Sequence, residues 1–270
     1  MNFQIRININ SISKTIFTKQ YQPHCKMYNF KIKLKTIIVT VILAGGISSS
    51  TQCHAQAALF VLIFGDKVAT EKFHLTIDAG LNLSDLPGLS QSKISNGVTF
   101  GLGTFIKLND KWALAPEFKP LSPRGAKDVK LLVPLDVDIQ DTKTNFTTNW
   151  IDVPILVRYN ISKSFFAAVG PQISFLMSAE QITSGTTSSS QDVVVTQDIE
   201  PQMNKQDFMI PIELGYSLSQ KRGGKGLNIK ARYNIGLTEV FTNTSSVSSN
   251  NSTIQFILSF PFINIPENGK

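Results

Sequence analysis

The sequence is poor in the residues from which most catalytic and metal-binding sites are built. Of 270 residues, two are cysteine and three are histidine. Both cysteines, Cys25 and Cys53, fall within the first 57 residues together with His24 and His54, which leaves His74 alone beyond them. Residues 58–270 therefore have no raw material for a thiolate metal centre, a structural disulfide or a cluster of imidazoles. Acidic residues are missing from residues 1–57, where the charged side chains are Arg6, Lys14, Lys19, Lys26, Lys31, Lys33 and Lys35. Beyond them 19 basic face 19 acidic side chains, so the net charge of +7 belongs to the N-terminal segment and is no argument for nucleic-acid binding. Long apolar runs are missing too. The run at 36–47 is too short for a membrane helix, which takes about 20 residues.

That short run has a different meaning in its setting. Lys31, Lys33 and Lys35 precede it, polar residues 48–52 follow, and Ala55-Gln56-Ala57 supplies a small-x-small cleavage site. Residues 1–57 are thus expected to be a leader removed on export. Met27 is an alternative start, since residues 27–57 alone contain every part of a signal peptide. Cys53 is disfavoured as a lipidation site, because Ser50-Thr51-Gln52 lacks the leucine and small residue that lipoprotein processing uses. A further apolar run, 57–64, opens an N-terminal segment at 58–71 and marks either a shifted cut or a first strand.

What fills the rest is alternation with a period of two. Phe73, Leu75, Ile77, Ala79 and Leu81 alternate with His74, Thr76, Asp78, Gly80 and Asn82, the pattern of a strand with one apolar and one polar face. Val98 to Leu108 repeats it, Asn109-Asp110 makes a turn, and Trp112, Leu114, Pro116 and Phe118 lead back. Segments 151–159, 165–177, 208–218, 227–237 and 254–262 complete a predicted set of eight strands, each near the roughly 9–11 residues that a tilted membrane strand needs. Short turns follow strands two, four and six. Longer Ser/Thr/Asn/Asp-rich stretches at 84–95, 121–148, 178–206 and 239–252 follow the others, as in an up-and-down barrel with short periplasmic turns and long outer loops.

Alternation alone does not separate a membrane barrel from a soluble one. The face opposite the apolar row carries Asp78, Glu117, Lys119, Asp152, Arg158, Glu213, Lys230 and Arg232 at mid-strand positions. In a soluble barrel these would meet water and the apolar row would fill the interior. In a membrane barrel the assignment inverts, and the eight are expected to form an ion-pair network inside the lumen. The export signal, the even strand number and aromatics near strand ends (Phe73, Trp112, Phe118, Trp150, Tyr159, Phe165, Tyr216, Tyr233, Phe262) favour the membrane. Glycines on the polar face suit a small, strongly curved barrel, whereas Pro116, Pro154, Pro171 and Pro211 each remove a ladder donor and call for bulges. The expectation is an all-β, eight-stranded antiparallel up-and-down transmembrane β-barrel over residues 72–263, with a tail at 264–270.

The segments Trp150-Ile-Asp-Val-Pro-Ile-Leu-Val-Arg-Tyr159, Phe166-Ala-Ala-Val-Gly-Pro-Gln-Ile-Ser-Phe175 and Phe73-His-Leu-Thr-Ile-Asp-Ala-Gly-Leu-Asn-Leu-Ser84 resemble the PorT-type outer-membrane β-barrel family of Gram-negative bacteria. The resemblance runs over about residues 72–263 in order and spacing, and its motifs build a barrel without carrying chemistry. It implies an eight-stranded barrel in the outer membrane and, for some members, a part in protein secretion across it. Residues 263–270 extend past the aromatic-ended last strand, a departure from that pattern.

Candidate chemistry is sparse. His74 with Asp78 four residues on admits a lumen hydrolase, against the plainer reading of a hydrogen-bonded lumen histidine. Asp152 and Glu213 admit an acid/base pair, against structural partners of Arg158, Lys230 and Arg232. Gly101-x-Gly103 and Gly223-Gly224 neither open a helix nor precede a Lys-Ser/Thr, so they are strand and turn glycines. The Asn145, Asn243 and Asn251 sequons are chance matches in Ser/Thr-rich stretches. The expected protein is a non-enzymatic outer-membrane component that needs no cofactor or metal, contacts outer-membrane lipid, and meets a protein partner or ligand through its long loops. A soluble periplasmic ligand-binding barrel and a hydrolase using His74 are the alternatives.

Overall fold

The computed structural model describes residues 3–7, 70, 72–89, 92–136, 138–188, 190–221, 225–242 and 248–262. Most of the predicted leader, nearly all of the 58–71 segment, and the tail lie outside the described residues. Among the described residues the chain forms eleven strands: β1 (Phe3–Ile7), β2 (Phe73–Asp85), β3 (Lys93–Lys107), β4 (Trp112–Lys127), β5 (Gln140–Asn160), β6 (Phe165–Val169), β7 (Gln172–Thr186), β8 (Asp192–Asp198), β9 (Gln206–Lys221), β10 (Lys225–Glu239) and β11 (Asn250–Phe262). A single 3-10 turn spans Glu200–Gln202. No helix of the described residues is long and apolar enough to cross a membrane.

The strands close into a ring of eight staves, each antiparallel to its neighbours. β2, β3, β4 and β5 pair in succession, β6 and the first part of β7 together make the fifth stave between β5 and β9, and β10 and β11 follow. Closure comes from β11 on β2, with eleven consecutive pairs from Ser252↔Asp85 to Phe262↔Leu75. The predicted fifth strand at 165–177 is broken at Gly170-Pro171, where proline has no N–H to offer the ladder and the Pro171 carbonyl instead accepts from Ile155 N–H at 2.9 Å. The other three prolines sit inside ladders, opposite Ile155, Gln172 and Asn234. β8 lies outside the ring, paired on one side with the far end of β7 and on the other with β1.

The strands run longer than the 9–11 residues expected. β5 has 21 residues, a rise of about 70 Å, well beyond what a bilayer core needs. The predicted loop at 121–148 is strand up to Lys127 and again from Gln140, and the one at 178–206 contains the end of β7 and all of β8. Main-chain hydrogen bonds make a ladder whatever the side chains are. Where the buried face of a hairpin is made of polar side chains such as Thr144, Thr148, Gln181 and Thr183, apolar alternation fades while the pairing continues, and a reading of hydropathy ends the strand too early.

Burial is inverted relative to a soluble barrel. On β2 the side chains of His74, Thr76, Asp78, Asn82 and Ser84 are buried, while Leu81 is 57% exposed. Val98, Leu214 and Leu237 are exposed to a similar degree, yet Asp152 and Arg232 are at most 1% exposed. Soluble folds bury the apolar row and wet the charged one. Here the apolar row forms a continuous outer band that only hydrocarbon can solvate without cost. At the short-turn end the band carries ring pairs, Trp112 with Tyr159 and Phe165 with Tyr216, each at 4.7 Å between centroids. Trp150 departs from that expected girdle: it shares the parity of Asp152 on β5, faces inward and is fully buried.

Trp150 belongs to an apolar cap at the long-loop end. Leu86, Phe146, Ile199, Met203 and Phe241 pack with it, and Phe146 meets Phe241 edge-on at 6.1 Å. An isolated bridge between Met203 and Phe241 fastens the segment after β8 to the end of β10. The barrel interior is therefore charged in its middle and covered by a small conventional core built from loops.

Candidate functional site

The interior is assembled by parity. On β10, Lys230 and Arg232 point to one face two residues apart, and the register places Arg232 opposite Glu213 of β9. On β4, Glu117 and Lys119 do the same. β3 between β2 and β4 contributes bare backbone at this level. A Cβ at Gly101 would lie 2.5 Å from the Lys119 side chain, and one at Gly103 equally close to the Thr76 hydroxyl. The absence of side chains there is what lets long charged groups cross the barrel.

Glu117 is the hub. Its carboxylate accepts two hydrogen bonds from the Arg232 guanidinium, at 2.8 and 2.7 Å, one from Lys230 Nζ at 3.3 Å, and pairs with Lys119 Nζ at 3.1 Å. Arg232 also donates from Nε to Glu213 at 2.8 Å and makes a second, shorter bond to it from Nη2. Lys230 donates to Asp78 at 2.9 Å. Three carboxylates thus meet three cations, all buried, with no charge left over. A fork-to-fork arginine pair of this kind is the geometry in which burial is best compensated.

A second centre lies nearer the long loops. Arg124 donates to Asp152 at 2.5 Å, to Asp207 at 2.8 Å and to the Ser174 hydroxyl at 3.0 Å, and its guanidinium stands 5.1 Å over the Trp150 ring. Asp207 also accepts from Thr238 and from Asn251, each at 2.7 Å. Neither Arg124 nor Asp207 was singled out in the sequence. β4 carries an extra residue between Lys119 and Ser122 relative to β5, so its inward parity changes from odd to even there, and Arg124 turns from an apparent loop residue into an interior one. Asp207 has the same parity as Glu213 on β9, and extending that strand by one residue would have found it.

Of the eight residues expected to form one network, six do so. Asp152 belongs to the second centre, with Arg124. Arg158 joins neither. Its Nε donates to Asn160 at 2.9 Å, and its guanidinium lies 3.4 Å from the Phe166 ring centroid and 5.2 Å from that of Phe105. His74 stacks on Phe105 at 4.7 Å, with Nδ1 3.2 Å from the Thr70 carbonyl oxygen. The cavity beside these residues, lined also by Glu117, Glu213 and Lys230, has about 30 Å³.

Neither catalytic arrangement considered from the sequence is assembled among the described residues. Asp152 and Glu213, the suggested acid/base pair, sit on different arginines in different centres. The His74 ring nitrogen contact goes to a main-chain carbonyl, not to a carboxylate or a nucleophile. Among the described residues no group of three or more His, Cys, Asp or Glu is placed to hold a metal.

Among solved structures the chain is similar to Ail, the attachment invasion locus protein of Yersinia pestis, with TM-score 0.36, 11% identity, and 72% of this chain and all of that one covered. It is similar to OprG of Pseudomonas aeruginosa, with TM-score 0.40, 11% identity, and coverage of 72% and 98%. Neisserial surface protein A gives TM-score 0.37, 11% identity, and 71% and 97% coverage. Likenesses this distant carry no argument about what this chain contacts. No relative is found among curated proteins. The family model described as outer membrane protein beta-barrel domain matches residues 55–242, most of the barrel and most of the chain. With an eight-stave ring whose apolar row faces outward and whose charges are buried, the chain belongs to the outer membrane protein beta-barrel domain family.

Proposed function

We propose that this protein is a non-enzymatic outer-membrane barrel of structural or accessory role, sealed along its axis and presenting its long loops to a protein partner or ligand. The observation that carries the reading is the filled interior: a neutral six-residue ion cluster in the middle, the Arg124 centre beyond it, and an apolar cap over the long-loop end. We assign the ion pairs a structural part, since each of these carboxylates is engaged by a cation. An eight-stranded barrel has an interior just wide enough for side chains, and here they occupy it. In planar bilayers the purified protein is expected to show no large, stable channels; sustained conductance steps would overturn the sealed reading.

The finer assignment, a PorT-type barrel with a part in protein secretion, rests on the motifs at 73–84, 150–159 and 166–175. It places the short turns in the periplasm and the loops outside, after removal of the leader. Gentle solubilisation of native membranes followed by affinity capture of the barrel is expected to bring down components of a secretion apparatus. Recovery of the barrel free of them would remove that assignment while leaving the sealed barrel intact.

A further inference from the structure

Arg158 is the interior cation that the ion clusters leave out. Lys119, Arg124, Lys230 and Arg232 each have a carboxylate within 3.1 Å, whereas Arg158 has none at ion-pairing distance among the described residues and spends one donor on Asn160. Its guanidinium lies 3.4 Å from the Phe166 ring centroid and 5.2 Å from that of Phe105, so the fork is oriented before anything binds, and its two terminal nitrogens make no hydrogen bond among the described residues. Glu213 shares the cavity with it but is occupied by Arg232 on two bonds.

The surroundings share its sign. β5 carries Arg158 at its short-turn end, where Lys72, Lys107, Lys111 and Lys163 are exposed on the neighbouring turns. Asp110 is the carboxylate that the described residues place there. It is taken up by Lys107 at 2.7 Å, which holds its carboxyl below the usual range. The opposite end of the barrel carries both signs, with Asp136, Asp138, Asp141, Glu180, Asp192 and Asp198 exposed alongside Lys93, Lys127, Lys130, Lys143 and Lys205.

We infer that the short-turn mouth of the barrel is a docking site for an acidic segment of a partner protein, with one Asp or Glu side chain inserted onto Arg158 and the rest of the segment lying across the lysine-bearing turns. Lipid phosphate fits the lysines but not the arginine, because Arg158 has the inward parity of Asp152 and Leu156, and acyl chains touch the outward row. Free phosphate offers the fork the same pair of oxygens, and the titration repeated with inorganic phosphate separates the two: phosphate binding that Arg158→Gln abolishes, without hexaglutamate binding, would overturn the peptide reading. A carboxylate on a flexible stem can reach the fork from the mouth and form the bidentate pair that guanidinium favours.

The inference rests on the outer-membrane reading, and its partner is periplasmic only if the short turns are. Fluorescein-labelled hexaglutamate titrated into the full-length protein in non-ionic detergent micelles is expected to bind, to be weakened by salt, and to lose at least about tenfold in affinity in Arg158→Gln, with hexalysine silent. Arg158→Lys keeps the charge but not the fork and is expected to fall between. Should Arg158→Gln not fold, Lys163→Glu is the second variant and is expected to weaken binding severalfold. Equal binding by wild type and Arg158→Gln, or full competition by anionic phospholipid nanodiscs, would overturn the site. A Lys163→Cys variant labelled by a membrane-impermeant maleimide only after permeabilising cells places the mouth in the periplasm. Labelling of intact cells would refute that orientation separately.

Discussion

Replacing Glu117 with Ala is expected to cost about 3–5 kcal/mol of folding stability, because it leaves three buried cations to be matched by two carboxylates. Glu117 touches Lys119, Lys230 and Arg232, so its removal takes a carboxylate from all three at once. Urea titration of the protein refolded into phospholipid vesicles, read by the mobility of the unboiled barrel on gels, measures the loss. The charge-balanced double variant Glu117→Met with Lys119→Met should recover much of it, since removing both partners of a buried pair removes the uncompensated charge. If Glu117→Ala alone were as stable as the parent, the cluster would be hydrated and the inverted interior would be wrong.

Leu214→Arg tests the other face. Leu214 is the outward neighbour of Glu213, lies at the level of the ion cluster near mid-strand, and is 62% exposed. If hydrocarbon covers it, an arginine there should cost about 2–4 kcal/mol in vesicles. If water covers it, the same change is a surface leucine made polar and should cost within about 0.5 kcal/mol. The two outcomes are far enough apart for a single titration curve to decide, and the second would return the protein to the class of soluble barrels.

Which residues the reading of alternation placed correctly, and which it missed, follows from what keeps parity and what changes it. On β2, β9, β10 and the membrane part of β5, one inward row runs unbroken, and Asp78, Asp152, Glu213, Lys230 and Arg232 face the interior as their positions imply. On β4 the extra residue after Lys119 shifts the row by one, and Arg124, the hub of the second centre, was lost in a predicted loop. A similar extra residue on β7, where Asn149 and Trp150 of β5 face Ser178 and Leu176, brings Ala179, Gln181 and Thr183 inward after Gln172 and Ser174. A bulge is a main-chain event with no dependable side-chain signature, so a period-two pattern read in one strand cannot reveal it. Trp150 was misplaced for the opposite reason: its type suggested an interfacial girdle, while its parity with Asp152 already put it inside.

The amino-acid sequence by itself determined the all-β class, the eight staves, the short and long ends, and the pairing of an apolar row with a charged row. These depend on local alternation and on turn length, both written along the chain. The tertiary structure alone decided which charges meet, that Arg158 has no carboxylate partner among the described residues, and that loop residues close one end with an apolar cap. Those depend on register across strands distant in sequence, such as β4 facing β10 across the lumen, and one added residue in a single strand is enough to redirect them.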